Sequence, residues 1–373
     1  MSSSFGKNLK ISVFGASHGT AIGAVVDGLP CGLTIDETAL LRFMKRRAPG
    51  QSLVTTQRKE ADQPHFLAGL VDGQLSGSPL AFYIENTNQH SKDYNNLRDV
   101  PRPSHADYTA RMRYGDAVDM RGGGHFSGRL TAPLCCAGGI ALQILKANGI
   151  EVAAHLRQIG PIKDKPISFT KPAMEDLQKV AFETIAMVSP QERLRAITYI
   201  DELRQAGNST GGIIEVFVTG LPAGLGNPNF DGIENRLSQA IFGIPGVKGV
   251  AFGSGFEGCL STGAEQNDPF LLEEGTVRTL NNNSGGIQGG ITNGMPLILQ
   301  VGMKPTASIA KVQPSFSYEK QANVDLQIKG RHDPCIAIRA VPVTEAVTAL
   351  VLLDFLLDNN VQFTPNHTER TSL

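Results

Sequence analysis

Apolar and polar residues alternate over residues 10–14, which predicts a half-buried strand. A glycine turn holding Ser17 and His18 follows, then a second apolar run over 22–26 that ends in Asp27-Gly28-Leu29-Pro30, so the chain opens on a hairpin. Thr34, Asp36 and Glu37 precede a stretch with Leu40, Leu41 and Met44 on one side and Arg42, Lys45 and Arg46 on the others. That pattern predicts an N-capped amphipathic helix, basic at its carboxyl end and stopped by Pro49-Gly50. Two more helices are expected over 133–148, closed by Gly149, and over 344–358, closed by Asn359-Asn360. Residues 210–218 and 297–301 read as strands, and the Pro and Lys content of 158–180 as an exposed excursion.

The pattern echoes itself. Gly28-Leu29-Pro30-Cys31-Gly32-Leu33 returns as Gly220-Leu221-Pro222-Ala223-Gly224-Leu225, each after a β-rich run. Each half then reaches a glycine cluster, 121–128 in the first and 284–290 in the second, and a long apolar helix. Either the chain is a duplication with antiparallel sheet and helices in each half, or a six-residue stretch is similar by chance. With 373 residues, the expectation is one large domain made of two intimately packed halves, roughly 1–200 and 201–373.

Composition removes whole classes. At 41% hydrophobic and 18% charged, the chain is neither a disordered tail, a collagen-like repeat nor a coiled coil. A net charge of −1 gives no general attraction to nucleic acid or anionic membrane. The first ten residues lack the apolar core of a secretory signal, and no stretch reads as about 20 apolar residues long enough to span a bilayer, so a soluble, cytoplasmic protein is expected. Cys31, Cys135, Cys136, Cys259 and Cys335 form no C-x-x-C pair and read as reduced core thiols, with no metal site.

Ten of the nineteen arginines lie between Arg42 and Arg129, where lysine is scarce. The planar guanidinium fork matches carboxylate and phosphate, so this bias points to a small polyanion, against the alternative of solvated helix faces. Arg47, Arg102, Arg129 and Arg331 lie beside Gly or Pro turns and are the strongest candidates. The glycine segments 121–129 and 284–294 let backbone approach a ligand closely, or are simply tight turns. Neither is a Walker A loop or a Rossmann fingerprint. His18, His105 and His332 sit in turns among small or charged residues, where an imidazole can donate a proton near neutrality. A Ser17/His18 hydrolase dyad is disfavoured, since adjacent side chains in a turn seldom face each other and no G-x-S-x-G elbow exists.

Phe14-Gly15-Ala16-Ser17-His18-Gly19, with Asp27-Gly28-Leu29-Pro30 behind it, resembles the first signature of the chorismate synthase family. The resemblance continues nearly end to end through Arg46-Arg47-Ala48-Pro49-Gly50, Thr56-Gln57-Arg58-Lys59-Glu60, Ile84-Glu85-Asn86-Thr87, Ser91-Lys92-Asp93-Tyr94, Arg102-Pro103-Ser104-His105-Ala106-Asp107-Tyr108, the 121–129 segment, Lys304-Pro305-Thr306 and Gly330-Arg331-His332-Asp333-Pro334-Cys335. It implies an α/β (α+β) sandwich of helices and antiparallel sheets with an internal pseudo-twofold repeat, assembled as a homotetramer. The implied reaction is anti-1,4-elimination of phosphate from 5-enolpyruvylshikimate 3-phosphate to give chorismate, with reduced FMN required although no net redox change occurs.

By the same resemblance, His105 is the acid at the leaving phosphate and His18 maintains the protonation state of the reduced flavin. Ser17, Ser127 and Asp333 tune proton transfer near the flavin ring. Arg46, Arg47, Arg102, Arg129 and Arg331 hold phosphate and carboxylates. The flavin positions are His125, Phe126, Ser127, Pro245, Gly246, Gly289, Lys304, Pro305, Thr306, Ala307, Ser308 and Arg331, with Lys304 at the FMN phosphate. The chain departs from the commonest family pattern at Ala16, Ala48, Leu53, His125-Phe126, Leu130 and Pro245-Gly246; the change at Leu53 bears on direct pyridine nucleotide (NADP) contact. No appended domain or second nucleotide motif is read, so a separate flavin reductase is expected and NADPH enters only indirectly, as a source of reducing equivalents. A flavin oxidoreductase and a diverged, non-catalytic binder of anionic metabolites are the alternatives.

Overall fold

The computed structural model describes residues 3–50, 62–87, 99–328 and 333–359. In the first half, strands β1 (Ser4–Phe5), β2 (Lys10–Gly15), β3 (Ala21–Asp27), β4 (Pro64–Ala68) and β7 (Leu80–Glu85) form an antiparallel sheet in the order β1-β2-β3-β7-β4, and β5 (Leu70–Val71) and β6 (Gln74–Leu75) form a small hairpin beside it. In the second half, β8 (Glu151–Ile159), β9 (Ile162–Lys163), β10 (Gly212–Thr219), β11 (Val247–Phe252) and β16 (Leu297–Met303) make a sheet in the order β9-β8-β10-β16-β11. The smaller hairpins are β12 (Phe270–Glu273) with β13 (Thr276–Thr279), β14 (Ile287–Gln288) with β15 (Ile291–Thr292), and β17 (Gln313–Ser317) with β18 (Ala322–Leu326).

Four strands of each sheet, β2-β3-β7-β4 and β8-β10-β16-β11, run in one order, only the edge strands β1 and β9 differing in their place along the chain, and the turns of the two sheets agree in detail. Gly32 N–H donates to the Leu75 carbonyl (2.7 Å) and Leu75 N–H to that of Leu33 (2.9 Å); Gly224 N–H donates to Thr292 (2.8 Å) and Thr292 N–H to Leu225 (2.9 Å). Gly28 and Gly220 both have positive φ (+92° and +82°), and at each a Cβ would strike a backbone carbonyl, that of Asn8 or of Gly149. The sequence echo is therefore a structural one. It is wider than the sequence reading and differs from it in two places. The Ser284–Gly290 cluster corresponds to the Gly69–Gly73 hairpin, not to 121–128: Ile35 N–H donates to Gly73 and Ile233 N–H to Gly290, both at 2.9 Å. Residues 151–200, assigned to the first half from sequence, begin the second sheet.

Between the sheets lie α1 (Glu37–Arg47), α3 (Thr131–Ala147), α6 (Ile233–Ile241) and α9 (Ala337–Asp358); α2 (Asp107–Tyr114), α4 (Met174–Val180), α5 (Pro190–Gln205) and the short α7 (Gly255–Gly258) and α8 (Gly263–Gln266) lie outside that layer. The Asp36 side chain caps α1 by accepting from Ala39 N–H at 2.9 Å, as its sequence predicts. α3 and α9 cross where Gly138 meets Ala346, so close that a Cβ on Gly138 would lie 2.3 Å from the alanine methyl. One continuous core joins Phe82 and Ile84 of the first sheet, Leu40, Ile140 and Leu350 of the helices, and Val216 and Leu299 of the second sheet.

α9 starts at Ala337, seven residues before its predicted start, and carries Pro342 inside it. Proline removes one helical hydrogen bond, which is why the sequence places a boundary there; burial of Ala340, Val341 and Val343 outweighs that loss. Two helical segments, Gly128–Ala147 and Ala337–Asp358, are long and apolar enough to cross a membrane, contrary to the sequence expectation, but 72% and 94% of their apolar windows are buried inside the protein. The expected exposed excursion also has a buried side: Leu177 of α4 and partly buried Phe169 pack on Ala153, Phe217 and Ile298 of the second sheet's outer face. That sheet is covered on both faces, which is why β10 and β16 read as continuous apolar runs while β2 alternates. Of the five free cysteines, Cys31 and Cys259 are exposed rather than core residues.

Candidate active site

The site lies at one end of the helix layer, where the β2–β3 turn meets the glycine loop before α3. Ser17 N–H donates to the Gly124 carbonyl (3.1 Å), and the Asn86 amide donates to the carbonyls of Ala16 (3.0 Å) and Gly19 (2.9 Å), holding the turn from the end of β7. Ser17 Oγ donates to the Arg121 carbonyl and lies 3.1 Å from His18 Nδ1. The adjacent side chains do meet, against the sequence expectation. With the hydroxyl proton on the Arg121 carbonyl, Ser17 accepts from the imidazole and is a support, not an activated nucleophile.

Three consecutive left-handed residues, Gly122, Gly123 and Gly124, strip the loop of side chains where two histidines approach it. A Cβ on Gly122 would lie 2.1 Å from His18 Cε1, and one on Gly123 would lie 3.4 Å from His105 Nε2. His18 and His105, 87 residues apart in sequence, therefore face neighbouring residues of one glycine strip. Ser127 is in the same loop and accepts from Arg129 N–H at 3.2 Å. His125 Nδ1 lies 2.7 Å from the Gly15 carbonyl and its Nε2 2.6 Å from Ser3 Oγ, so it ties the loop to β2; Phe126 packs near Tyr114.

The arginines are buried and partnered. Arg47 donates to Asp62 (2.6 Å), Thr131 Oγ1 (3.1 Å) and the Gly128 carbonyl (3.0 Å). Arg129 donates to the other oxygen of Asp62, to Asn86 Oδ1 (2.9 Å) and to the Glu85 carbonyl (3.1 Å). Burial alone would raise the Asp62 carboxyl, but the charges of Arg47 and Arg129 outweigh it and hold the group below the usual carboxylate range. Arg47 and Arg129 thus share the Asp62 carboxylate beside the loop. Arg102 grips Asp107 with Nε and Nη2, both at 2.7 Å, and its Nη1 donates to Ser308 (3.2 Å).

Ser308 belongs to the segment predicted to hold a flavin. Thr306 Oγ1 donates to the Asp333 carbonyl (2.7 Å), Ser209 Oγ to the Thr306 carbonyl (2.8 Å), and Lys304 N–H to the Gly246 carbonyl (3.0 Å), so Pro245-Gly246, residues 304–308 and Asp333 are contiguous. Lys304 Nζ donates to the Ser104 carbonyl, next to His105. Burial, and then repulsion from Lys248, lower the Lys304 ammonium below its usual range. Asp333 accepts from Arg339 (2.7 Å), whose Nε donates to the Arg47 carbonyl (2.9 Å).

Two predicted residues are elsewhere. Arg46 is locked to Glu345 in the helix layer, away from the loop. Gly289 lies in the β14–β15 turn, before β16 begins, whereas Gly246 and Lys304 lie at that strand's far end. Arg331, His332 and Leu53 lie outside the described residues. Sequence reasoning missed Asp62 and Arg339 and gave Asn86 and Asp107 no role. The usable signal was physical: buried arginines need buried carboxylates, although local sequence does not say which.

Known proteins similar to this chain belong to one family. The family described as chorismate synthase matches residues 9–357. The chain is 42% identical to the chorismate synthase of Methanosarcina mazei over 353 residues, 95% of each chain. It is 42% identical to that of Korarchaeum cryptofilum, covering 95% of this chain and 97% of the relative. A crystal structure of a chorismate synthase superimposes with a TM-score of 0.76 at 27% identity, covering 96% of this chain and 94% of the other.

Proposed function

Since the chain belongs to the chorismate synthase family, we propose that the cleft around Gly122 and Gly123 is where it works. The activity itself is the family's: elimination of phosphate from 5-enolpyruvylshikimate 3-phosphate to give chorismate, in the shikimate pathway. The family uses reduced flavin. The observation that carries the site reading is the pair His18 and His105 on one side-chain-free strip.

Two features support reduced FMN as the cofactor here. The desolvated Lys304 ammonium, pressed by Lys248, is relieved by an anion such as the flavin phosphate. The side-chain-free glycine strip, which His18 and His105 both approach, lets a ligand come close to backbone. Ser127, His125, Phe126, Pro245, Gly246 and residues 304–308 would hold it. When bound, reduced FMN supplies a transient electron and the base for the ring hydrogen, with no net change in oxidation state.

The chain's own residues then manage charge and protons. Arg47 and Arg129, which share Asp62 beside the loop, would meet the substrate's carboxylates and phosphate. His105 delivers a proton to the phosphate oxygen as the carbon–oxygen bond breaks, because phosphate leaves poorly unless protonated. His18, supported by Ser17, holds the flavin's protonation state at the neighbouring glycine, Gly122. Asp333 is paired with Arg339. Burial of Ser17 and His18 excludes water from that side.

The protein is proposed to act in the cytoplasm as a homotetramer served by a separate flavin reductase. Self-association is supported by exposed Phe256, Leu260, Phe270 and Leu272. Anaerobic incubation with chemically reduced FMN and the phosphate ester tests the function: chorismate and free phosphate should form in equal amounts while the flavin stays reduced. Oxidation of one flavin per product would replace the lyase reading with an oxidoreductase.

A further inference from the structure

The contacts of His105 assign its two ring nitrogens different tasks. Nδ1 lies 2.7 Å from Asp107 Oδ1 and 3.1 Å from Arg102 Nη2. These neighbours ask opposite things of it, since a carboxylate only accepts and a guanidinium only donates. Asp107 has the shorter contact, in the range of a charge-assisted bond. Arg102 already donates through Nε and Nη2 to the same carboxylate, and burial is outweighed by those bonds, so the Asp107 carboxyl stays well below the usual range.

We propose that Asp107 is the positioning residue that fixes a proton on Nδ1 of His105, so that Nε2 alone exchanges a proton with the departing phosphate; the inference rests on the site reading above. The Asp107 carboxylate also accepts from the Arg102 backbone N–H (3.0 Å), closing the turn that carries His105. Ser104 in that turn has φ of +57°, a conformation such closure sustains. The Cε1–Nε2 edge faces Gly123, which puts no side chain against the nitrogen. Arg102 Nη1 on Ser308 fastens the arrangement to the segment proposed to hold flavin. In the step, the Nε2–H bond breaks as an O–H bond forms on phosphate and the substrate carbon–oxygen bond breaks. The ring is left neutral with its proton on Nδ1, the tautomer Asp107 already holds.

The test begins with the full-length protein labelled with ¹⁵N-histidine. Long-range ¹H–¹⁵N correlation above the imidazole titration, with His105 assigned by its loss in His105→Asn, should show the Nδ1–H tautomer. An Nε2–H tautomer, with Nδ1 accepting from Arg102, overturns the proposal. In Asp107→Asn the tautomer should change and kcat should fall about 100-fold to 10,000-fold, with KM and FMN affinity within about twofold. A kcat within about threefold of the parent also overturns it. If Asp107→Asn does not fold, the spectrum of the parent protein decides alone. Failure of the parent protein to make chorismate would instead defeat the site reading and leave the tautomer as measured.

Discussion

Arg46 and Glu345 form a two-point ion pair, at 2.5 and 3.0 Å, between the last turn of α1 and the middle of α9. Glu345 also accepts from Ala154 N–H (2.9 Å), so the pair joins two helices to the second sheet. Arg46→Ala would leave that carboxylate buried without its counter-charge. The expected cost is about 3–5 kcal/mol of stability, measured by urea unfolding, with KM for the phosphate ester unchanged at a temperature where the variant is folded. A raised KM with normal stability would return Arg46 to the substrate.

His18→Ala and His105→Ala should each lose most turnover, roughly a hundredfold to ten-thousandfold, because a placed proton donor contributes that much. FMN binding, followed by fluorescence quenching, should persist in both. Near-normal turnover in both would defeat their assignment.

Gly122→Ala places a methyl at 2.1 Å from His18 Cε1 on a backbone with φ of +61°. Strain of about 1–3 kcal/mol and a displaced imidazole should lower kcat at least about tenfold. Gly128→Ala, where a Cβ meets nothing within 4 Å among the described residues, is the matched control and should behave as the parent. Equal kcat for the two would detach the glycine strip from catalysis.

Asp62 is held below the usual carboxylate range, burial being outweighed by Arg47 and Arg129. A depressed folded value contributes stability above the unfolded value, about 3.9, which is lost as pH falls through the folded one. Melting temperature should therefore drop steeply below about pH 4, and Asp62→Asn should flatten that limb while lowering stability at pH 7. An unchanged acid limb would remove Asp62 from the linkage.

His155 behaves in the opposite sense. Its two nitrogens lie 3.1 Å from Asp164 and 3.2 Å from Glu215; burial disfavours the charge, but bonds to the two carboxylates outweigh it and raise the pKa above the usual value. Such a group contributes stability in full below about pH 6.5 and loses it as pH rises through the folded value. Arg157 competes for the far oxygen of Glu215 and is in turn within 3.5 Å of Glu257. Asp164 also accepts from Val188 N–H (2.6 Å) and Ser189 N–H (2.9 Å), so alkaline conditions should raise protease cleavage between 164 and 189, and His155→Gln should remove that pH dependence. Cleavage independent of pH in the parent protein would refute this.

The hairpin, the capped α1 and the glycine turns were legible because each is a local pattern, with alternation, an Asx cap or a required positive φ. The start of α9 was not, because Pro342 is a local obstacle overcome by packing on distant elements. The arginines were legible as a group, and their partners were not. Nothing near Asp62 in sequence says that Arg47 and Arg129 will share it, since that meeting depends on how β4, α1 and the loop before α3 converge. The glycine cluster that holds Gly289 has a fold role that its sequence did not disclose: by its hydrogen bonds it is the counterpart of the hairpin turn at Gly73.

The order shared by β2-β3-β7-β4 and β8-β10-β16-β11 is joined by two very different crossings. At matching corners of their sheets, β2 passes to β3 through five residues, 16–20, whereas β8 passes to β10 through residues 160–211. The short crossing is stiff enough to present an imidazole, and the long one wraps back to roof its own sheet. Symmetry of the frame is thus broken where the chemistry begins: one corner was left terse, its twin became upholstery, and evolution of rate and evolution of robustness can proceed on separate stretches of chain.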